Sequence, residues 1–285
     1  MSRGKICLIS SAFLYGLAPI FAKIAYTGGV NGLTLTFLRT ALMLPVLFVL
    51  MIAQGKSFYL NKKELMHITA LGVVGGTLSM VALYVAYEYI PTGLATTLHF
   101  IYPLIIVVVS ALIYKEKIRG IKLLAVMLVT IGIFMFVDLT NRANKAGVML
   151  AVLSGVFYSF HVIYMHYSGI ESMDYVKLTF YLTIIMSVGT LIFGTVAGGL
   201  DFQLINKTGW IFSTVISFLI TIGAIPLFQA GVRYEGASTA GIVSAFEPIT
   251  TIVLGTVFLG ETMGVVQYLG GAAIILGVVL AEKYR

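Results

Sequence analysis

Residues 237–261, ASTAGIVSAFEPITTIVLGTVFLGE, and residues 92–116, TGLATTLHFIYPLIIVVVSALIYKE, decide how this chain folds. Each opens with small residues, runs through a proline (Pro248, Pro103) and stops at a glutamate (Glu261, Glu116). Each is long enough to cross a hydrocarbon core, which takes about 20 apolar residues at ~1.5 Å rise apiece. A proline that deep in a soluble helix costs about 3 kcal/mol. In a membrane bundle, neighbouring helices, hydroxyls and water take up the freed carbonyl. Two kinked spans in matching places predict a duplicated membrane protein with a pathway at its middle.

Composition agrees with that reading. Hydrophobic residues make up 59% of the chain and charged residues 10%, the profile of a polytopic helical membrane protein and not of an aqueous domain. The excess of Lys and Arg sits in short breaks between apolar runs, where membrane orientation explains it and nucleic-acid binding does not. Cys7 is the single cysteine, so an intrachain disulfide is excluded. Arg3 and Lys5 precede an apolar run without an A-x-A-like cleavage site, which reads as an uncleaved first helix.

Working outward, apolar runs separated by polar breaks give ten expected spans, roughly 6–26, 33–53, 66–88, 92–114, 120–138, 146–167, 176–196, 210–232, 237–259 and 265–282. With the N-terminus inside, one side holds Arg3, Lys5, Lys56, Lys62, Lys63, Lys115, Lys117, Arg119, Lys122, Lys177, Arg233, Lys283 and Arg285. The other keeps Arg142, Lys145 and Lys207. The positive-inside bias predicts cytoplasmic termini.

The halves also match in register. An offset of 143 lays Gly4, Ser11 and Tyr15 on Gly147, Ser154 and Tyr158, and Leu35-Thr36-Phe37 on Leu178-Thr179-Phe180. After a two-residue slip, Tyr89, Ala95, Pro103, Glu116 and Gly132 fall on Tyr234, Ala240, Pro248, Glu261 and Gly277. The expected fold is all-α, with ten transmembrane helices as two five-helix repeats, residues 1–140 and 141–285. Five spans is an odd number, so the second copy is expected to lie inverted. Inverted repeats are a signature of secondary transporters, with the substrate site near the midplane.

At this point the sequence resembles the drug/metabolite transporter superfamily, specifically its EamA-like ten-helix exporters. The likeness covers essentially the whole chain. It is carried by Phe37-Leu38-Arg39-Thr40-Ala41, by Tyr102-Pro103 leading to Lys115-Glu116, and by Glu247-Pro248 leading to Leu259-Gly260-Glu261. The resemblance implies alternating access around a cavity built by spans 1–4 and 6–9, with spans 5 and 10 peripheral. It also implies export of amino acids or related small metabolites across a bacterial inner membrane.

Polar residues at helical spacing in apolar spans should face protein or a water-filled cavity. Span 6 offers Ser154, Tyr158, His161 and Met165, and span 1 repeats the stripe as Ser11, Tyr15, Ala18 and Ala22. Span 3 adds Met80, Tyr84 and Tyr87. Span 4 adds Thr92, Thr96 and His99 beside Tyr102, span 8 adds Gln229, and span 9 adds Ser244, Glu247 and Thr251. Glu247 reads as a carboxylate for a substrate ammonium or a proton, or else as a packing acid paired with Arg39 or a histidine. His99 and His161 read as hydrogen-bonding or titrating partners, or as packing histidines. Arg39 either meets an anionic substrate group or locks span 2 to a neighbour. The tyrosines either stack on a ligand or pack. Pro103 and Pro248 are expected as hinges.

No cofactor or metal pattern is present: His161 and His166 are five apart, off the face that shared ligation wants, with no Cys or acid beside them. A membrane-embedded enzyme would want HExxH, paired aspartates or a Ser/Lys dyad, and the sequence has none. Nucleotide-sugar or nucleotide transport would want several cavity cations, where only Arg39 and Lys23 lie within spans. A lipid-carrier transporter remains an alternative. Expected partners are a small-molecule substrate and the lipid bilayer, with a homodimer through the Gly270 and Gly277 face of span 10 as a candidate.

Overall fold

Short polar stretches start the helices through side-chain caps. Asn31 Oδ1 accepts from Thr34 N (2.8 Å), Asn206 Oδ1 from Gly209 N (3.1 Å) and Asp174 Oδ1 from Val176 N (3.1 Å), while Asn61 and Glu64 form a capping box. The structure is a computed structural model and describes residues 2–90, 92–116, 120–135, 144–259 and 264–283. Glu261, Lys117, Arg119, Arg142 and Arg285, named above, lie outside those residues.

The described residues form helices and turns with no strand. In order they are α1 (Arg3–Thr27), α2 (Gly32–Ala41), α3 (Leu44–Ala53), α4 (Lys62–Ala70), α5 (Ser79–Tyr89), α6 (Thr92–His99), α7 (Tyr102–Leu112) and α8 (Gly120–Phe134). Then come α9 (Lys145–Tyr167), α10 (Tyr175–Val196), α11 (Lys207–Phe218), α12 (Ile225–Glu235), α13 (Ala237–Val243), α14 (Phe246–Leu259) and α15 (Val265–Lys283). Among the described residues, seven continuous runs are long and apolar enough to cross a membrane, including Arg3–Thr27, Lys62–Tyr89, Lys145–Tyr167 and Lys207–Glu235. Gly120–Gly132 and Tyr268–Gly277 are shorter apolar helices.

Three expected single spans are each two helices. Residues 33–53 divide as α2 and α3, 92–114 as α6 and α7, and 237–259 as α13 and α14. The joints are tight three-residue turns: Ile101 N donates to Leu98 O (3.3 Å), Ala245 N to Ile242 O (3.1 Å) and Glu247 N to Ser244 O (2.9 Å). Pro103 and Pro248 therefore sit in the first turn of α7 and α14, and not inside a kinked helix. The first-turn amide has no intrahelical partner in any case, so proline is accommodated there at little cost.

Two other runs stay continuous by widening. Leu71–Leu78 joins α4 to α5 and Leu219–Ala224 joins α11 to α12, both as π-helix, a form that marks functional sites in many proteins. In the first, a β-carbon added at Gly75 would sit 2.5 Å from His161 Cβ, and one at Gly76 2.7 Å from Met186 Cγ. The small face lets this run press against α9 and α10, as small residues do between membrane helices.

The halves of the chain interlock. α1 packs on α11, α12 and α14, while α9 packs on α5, α6, α7 and the Leu71–Leu78 run. Ser11 Oγ on α1 donates to Ala224 O (2.9 Å), and Ser79 Oγ donates to Ser154 O on α9 (2.9 Å). α8 and α15 pack on each other, with Gly277 against Ala125 and Val129. That glycine face of α15 is thus occupied within the chain, and a dimer through this helix would have to use another face.

Candidate functional site

Helices α1, α2, α5, α9, α10, α12 and α14, with the end of α6 and the glycines of the first π-helical run, enclose a cavity of about 920 Å³ including its open mouth. Its walls are aromatic and aliphatic, with a few polar groups converging on one space, the usual make-up of a small-molecule site.

Nine of the ten expected substrate residues line it: Tyr15, Arg39, Tyr84, Tyr87, His99, Tyr158, His161, Gln229 and Glu247. Tyr102 does not. It is fully buried behind the wall, its ring 4.8 Å from Tyr158 and 5.3 Å from His99 between centroids. Pro103 and Pro248 lie beside the cavity and not on it. Lys23 is exposed and also off it.

Glu247 reaches the cavity because the α13–α14 break comes just before it and because α14 presses against α1. A β-carbon on Gly16 would meet Thr250 Cβ at 2.5 Å and Glu247 O at 2.7 Å, so only glycine permits this approach. Thr251 Oγ1 donates to Gly16 O (3.0 Å) and fixes the pair. Among the described residues the Glu247 carboxylate has neither a hydrogen-bond nor an ion-pair partner, although Arg39 lines the same cavity.

Arg39 comes from the last turn of α2, 5% exposed. Its Nη1 donates to Tyr84 Oη (3.0 Å), its Cζ lies 5.6 Å from the Tyr84 ring centre, and its Nε has no partner among the described residues. Tyr84 packs edge-on against Tyr87, whose hydroxyl pairs with Thr96 Oγ1 (3.0 Å). Gln229 accepts from Thr179 Oγ1 (3.3 Å) through Oε1 and leaves Nε2 unpartnered. On this wall, among the described residues, Arg39 Nε and Gln229 Nε2 keep no hydrogen-bond partner and the Glu247 carboxylate accepts from none.

His99 is brought in at the end of α6, where α9 approaches so closely that a β-carbon at Gly155 would lie 2.4 Å from His99 O. His161 stacks parallel to Tyr158 at 5.9 Å. Of the other stripe members, Ala18 and Met80 also line the wall, and Ser154 Oγ lies 2.9 Å from His99 Nδ1. Ser244 Oγ returns to Ala240 O (2.8 Å), Met165 is core, and Arg233 lies over the Tyr175 ring.

The sequence reading missed Thr179, Thr183 and Met186 on α10, all on the wall. Their i, i+4, i+7 spacing in an apolar span was the available signal. It also missed Pro19, which lies inside α1, lines the cavity and removes the amide that would have bonded the Tyr15 carbonyl.

At the ends of the bundle, Glu88 and Glu116 tie neighbouring segments together. Glu88 Oε1 accepts from Gly32 N (2.7 Å). Glu116 accepts from Lys122 Nζ (2.7 Å), Ser238 Oγ (2.6 Å) and Tyr167 Oη (3.3 Å), joining the α7–α8 turn to α9 and α13. Burial raises its carboxyl pKa, but these hydrogen bonds outweigh burial and hold it below the usual range.

Comparison with known proteins gives a consistent picture. The model of the EamA-like transporter family matches residues 2–138 and again 145–282. An uncharacterized transporter of Archaeoglobus fulgidus is 27% identical over 286 residues, 99% of this chain and 97% of that protein. An uncharacterized transporter of Synechocystis is 24% identical over 212 residues, 71% of this chain but 62% of its own length. Bacillus subtilis YcbK, also an uncharacterized transporter, is 22% identical over 100% of this chain and 94% of its own. A solved crystal structure superposes with a TM-score of 0.79 at 15% identity, covering 100% of this chain and 99% of that one, a likeness of fold alone.

Proposed function

The chain belongs to the EamA-like transporter family, and on that premise we propose that it exports amino acids or related small metabolites across the cytoplasmic membrane by alternating access. Its family and its relatives are transporters, not enzymes, and it is a multi-pass membrane protein. The proposal takes it as ten membrane-crossing segments in two inverted five-helix repeats with both termini cytoplasmic. The reciprocal packing of α1 and α9 and the broken helices at Pro103 and Pro248 support that arrangement.

The observation that carries the substrate reading is the Arg39 guanidinium and the Glu247 carboxylate on one aromatic cavity, neither paired with the other. A carboxylate for an ammonium and a guanidinium for a carboxylate, set among apolar walls, suit a small amino acid better than a polyphosphate. Nucleotide-like cargo would need more cations on this wall than Arg39, the one Arg or Lys there among the described residues. In the proposed cycle, spans 1–4 and 6–9 rock about the cavity, with the breaks before Pro103 and Pro248 absorbing the motion. Cargo drives it only through different affinities for the two faces.

The test is counterflow in proteoliposomes with a pool of labelled amino acids, comparing wild type with Glu247→Gln. Exchange of an amino acid supports the reading. If the variant then loses only its response to a pH gradient, Glu247 carries the coupled proton. If it loses exchange at unchanged thermal stability, Glu247 binds cargo. A folded wild type that exchanges nothing in the pool overturns the amino-acid reading.

A further inference from the structure

Ser154 Oγ lies 2.6 Å from Ala151 O. Two oxygens approach that closely only with a hydrogen between them, and a carbonyl has none to give, so the Ser154 proton is committed there. A hydroxyl has one proton. Toward His99 Nδ1, 2.9 Å away, Ser154 Oγ therefore accepts. In the neutral imidazole Nδ1 then carries the proton, and Nε2 is a bare acceptor. Nε2 has no hydrogen-bond partner among the described residues, and the ring lines the cavity.

We infer that Ser154 is a positioning residue: it fixes His99 as the Nδ1–H tautomer, so that Nε2 meets an N–H or O–H of the transported molecule. The arrangement is held from both sides. Ser79 Oγ donates to Ser154 O at 2.9 Å and anchors α9 at this residue, while the Tyr102 and Tyr158 rings flank the imidazole at 5.3 and 5.4 Å. The wall gains a second unspent acceptor besides the Glu247 carboxylate, and neither accepts from a described residue. Cargo without a proton-bearing group at that point would leave Nε2 desolvated and unpaired, which disfavours it. The tautomer stands on the protein geometry alone, and its use by cargo rests on the cavity being the transport site.

The test is nitrogen NMR of the full-length protein in lipid, with 15N-labelled histidine at neutral pH. The chain has four histidines, so His99→Gln assigns the resonance by its disappearance. The expected result is the Nδ1–H tautomer in wild type and its loss toward Nε2–H in Ser154→Ala. An Nε2–H tautomer or an imidazolium in wild type overturns the inference. With a saturating mixture of the common L-amino acids, the Nε2 signal of wild type should shift, and the half-saturation concentration for counterflow should rise about tenfold in Ser154→Ala. Counterflow with no Nε2 shift and no Ser154→Ala effect overturns the role in recognition. Absent counterflow with the Nδ1–H tautomer present sinks the amino-acid reading instead and leaves the positioning by Ser154 upheld.

Discussion

Arg39 and Tyr84 are joined by a 3.0 Å hydrogen bond from the guanidinium to the phenol oxygen, and the same guanidinium lies 5.6 Å from the ring centre. Two helices thus hold one cation: α2 supplies it, and α5 aims it. Because the guanidinium makes no ion pair and its Nε no hydrogen bond among the described residues, it is placed but not neutralised, which is what a binding group for an anionic end requires.

Tyr84→Phe removes the hydrogen bond and keeps the ring under the guanidinium. The expected effect is a loss of about 0.5–1.5 kcal/mol in cargo affinity, read as a several-fold higher half-saturation concentration in counterflow at near-normal thermal stability. Arg39→Lys should do worse, since a point charge cannot reproduce the planar fork. Equal transport by all three proteins sinks the role of Arg39 in binding.

Gly16→Ala tests how Glu247 is delivered. The new methyl would meet Glu247 O at 2.7 Å and Thr250 Cβ at 2.5 Å, forcing α1 and α14 apart. Overpacking of this kind costs about 1–3 kcal/mol. Thermal unfolding in detergent should show a clear drop, with loss of transport in whatever protein remains folded. An unchanged melting temperature contradicts the close packing.

Glu116 sets an acid limit on stability. Its carboxyl is held below the usual range, so its contribution is fully present above the unfolded value of about 4.3 and fades as pH falls through the lower folded value. Melting temperature against pH should therefore fall more steeply in wild type than in Glu116→Gln as pH drops below about 4.3. The side chain is 31% exposed, and solvent screening keeps the difference under about 1 kcal/mol. Parallel curves for the two proteins remove Glu116 from the acid response.

Asp174 does two things that substitution can separate. It caps α10 through Val176 N and Lys177 N, and its other oxygen pairs with Lys56 Nζ at 2.5 Å. Asp174→Asn keeps a capping oxygen and should cost at most about 1 kcal/mol, the range of an exposed pair. Asp174→Ala loses the cap as well and should cost about 0.5–2 kcal/mol more. Equal melting temperatures for the two variants contradict the capping role.

Membrane class, the apolar runs that become helices and the doubled pattern were legible in the sequence, because burial in hydrocarbon forces long apolar runs and satisfied backbone. Most of the cavity's polar wall was legible for a related reason. A polar side chain in such a run is costly unless it faces its own kind, so Tyr84, His161, Gln229 and Glu247 betray an inward face by spacing alone. Spacing could not tell wall from packing behind the wall. Tyr102 and His99 are three residues apart, yet the turn at Phe100–Ile101 sends Tyr102 into the core and leaves His99 on the cavity. Nor could it tell a kink from a break at Pro103 and Pro248, which depends on where the backbone amides find partners. Whether Arg39 and Glu247 neutralise each other or stand apart was likewise decided by tertiary structure, since it turns on how α2 and α14, more than two hundred residues apart in the chain, are held around one space.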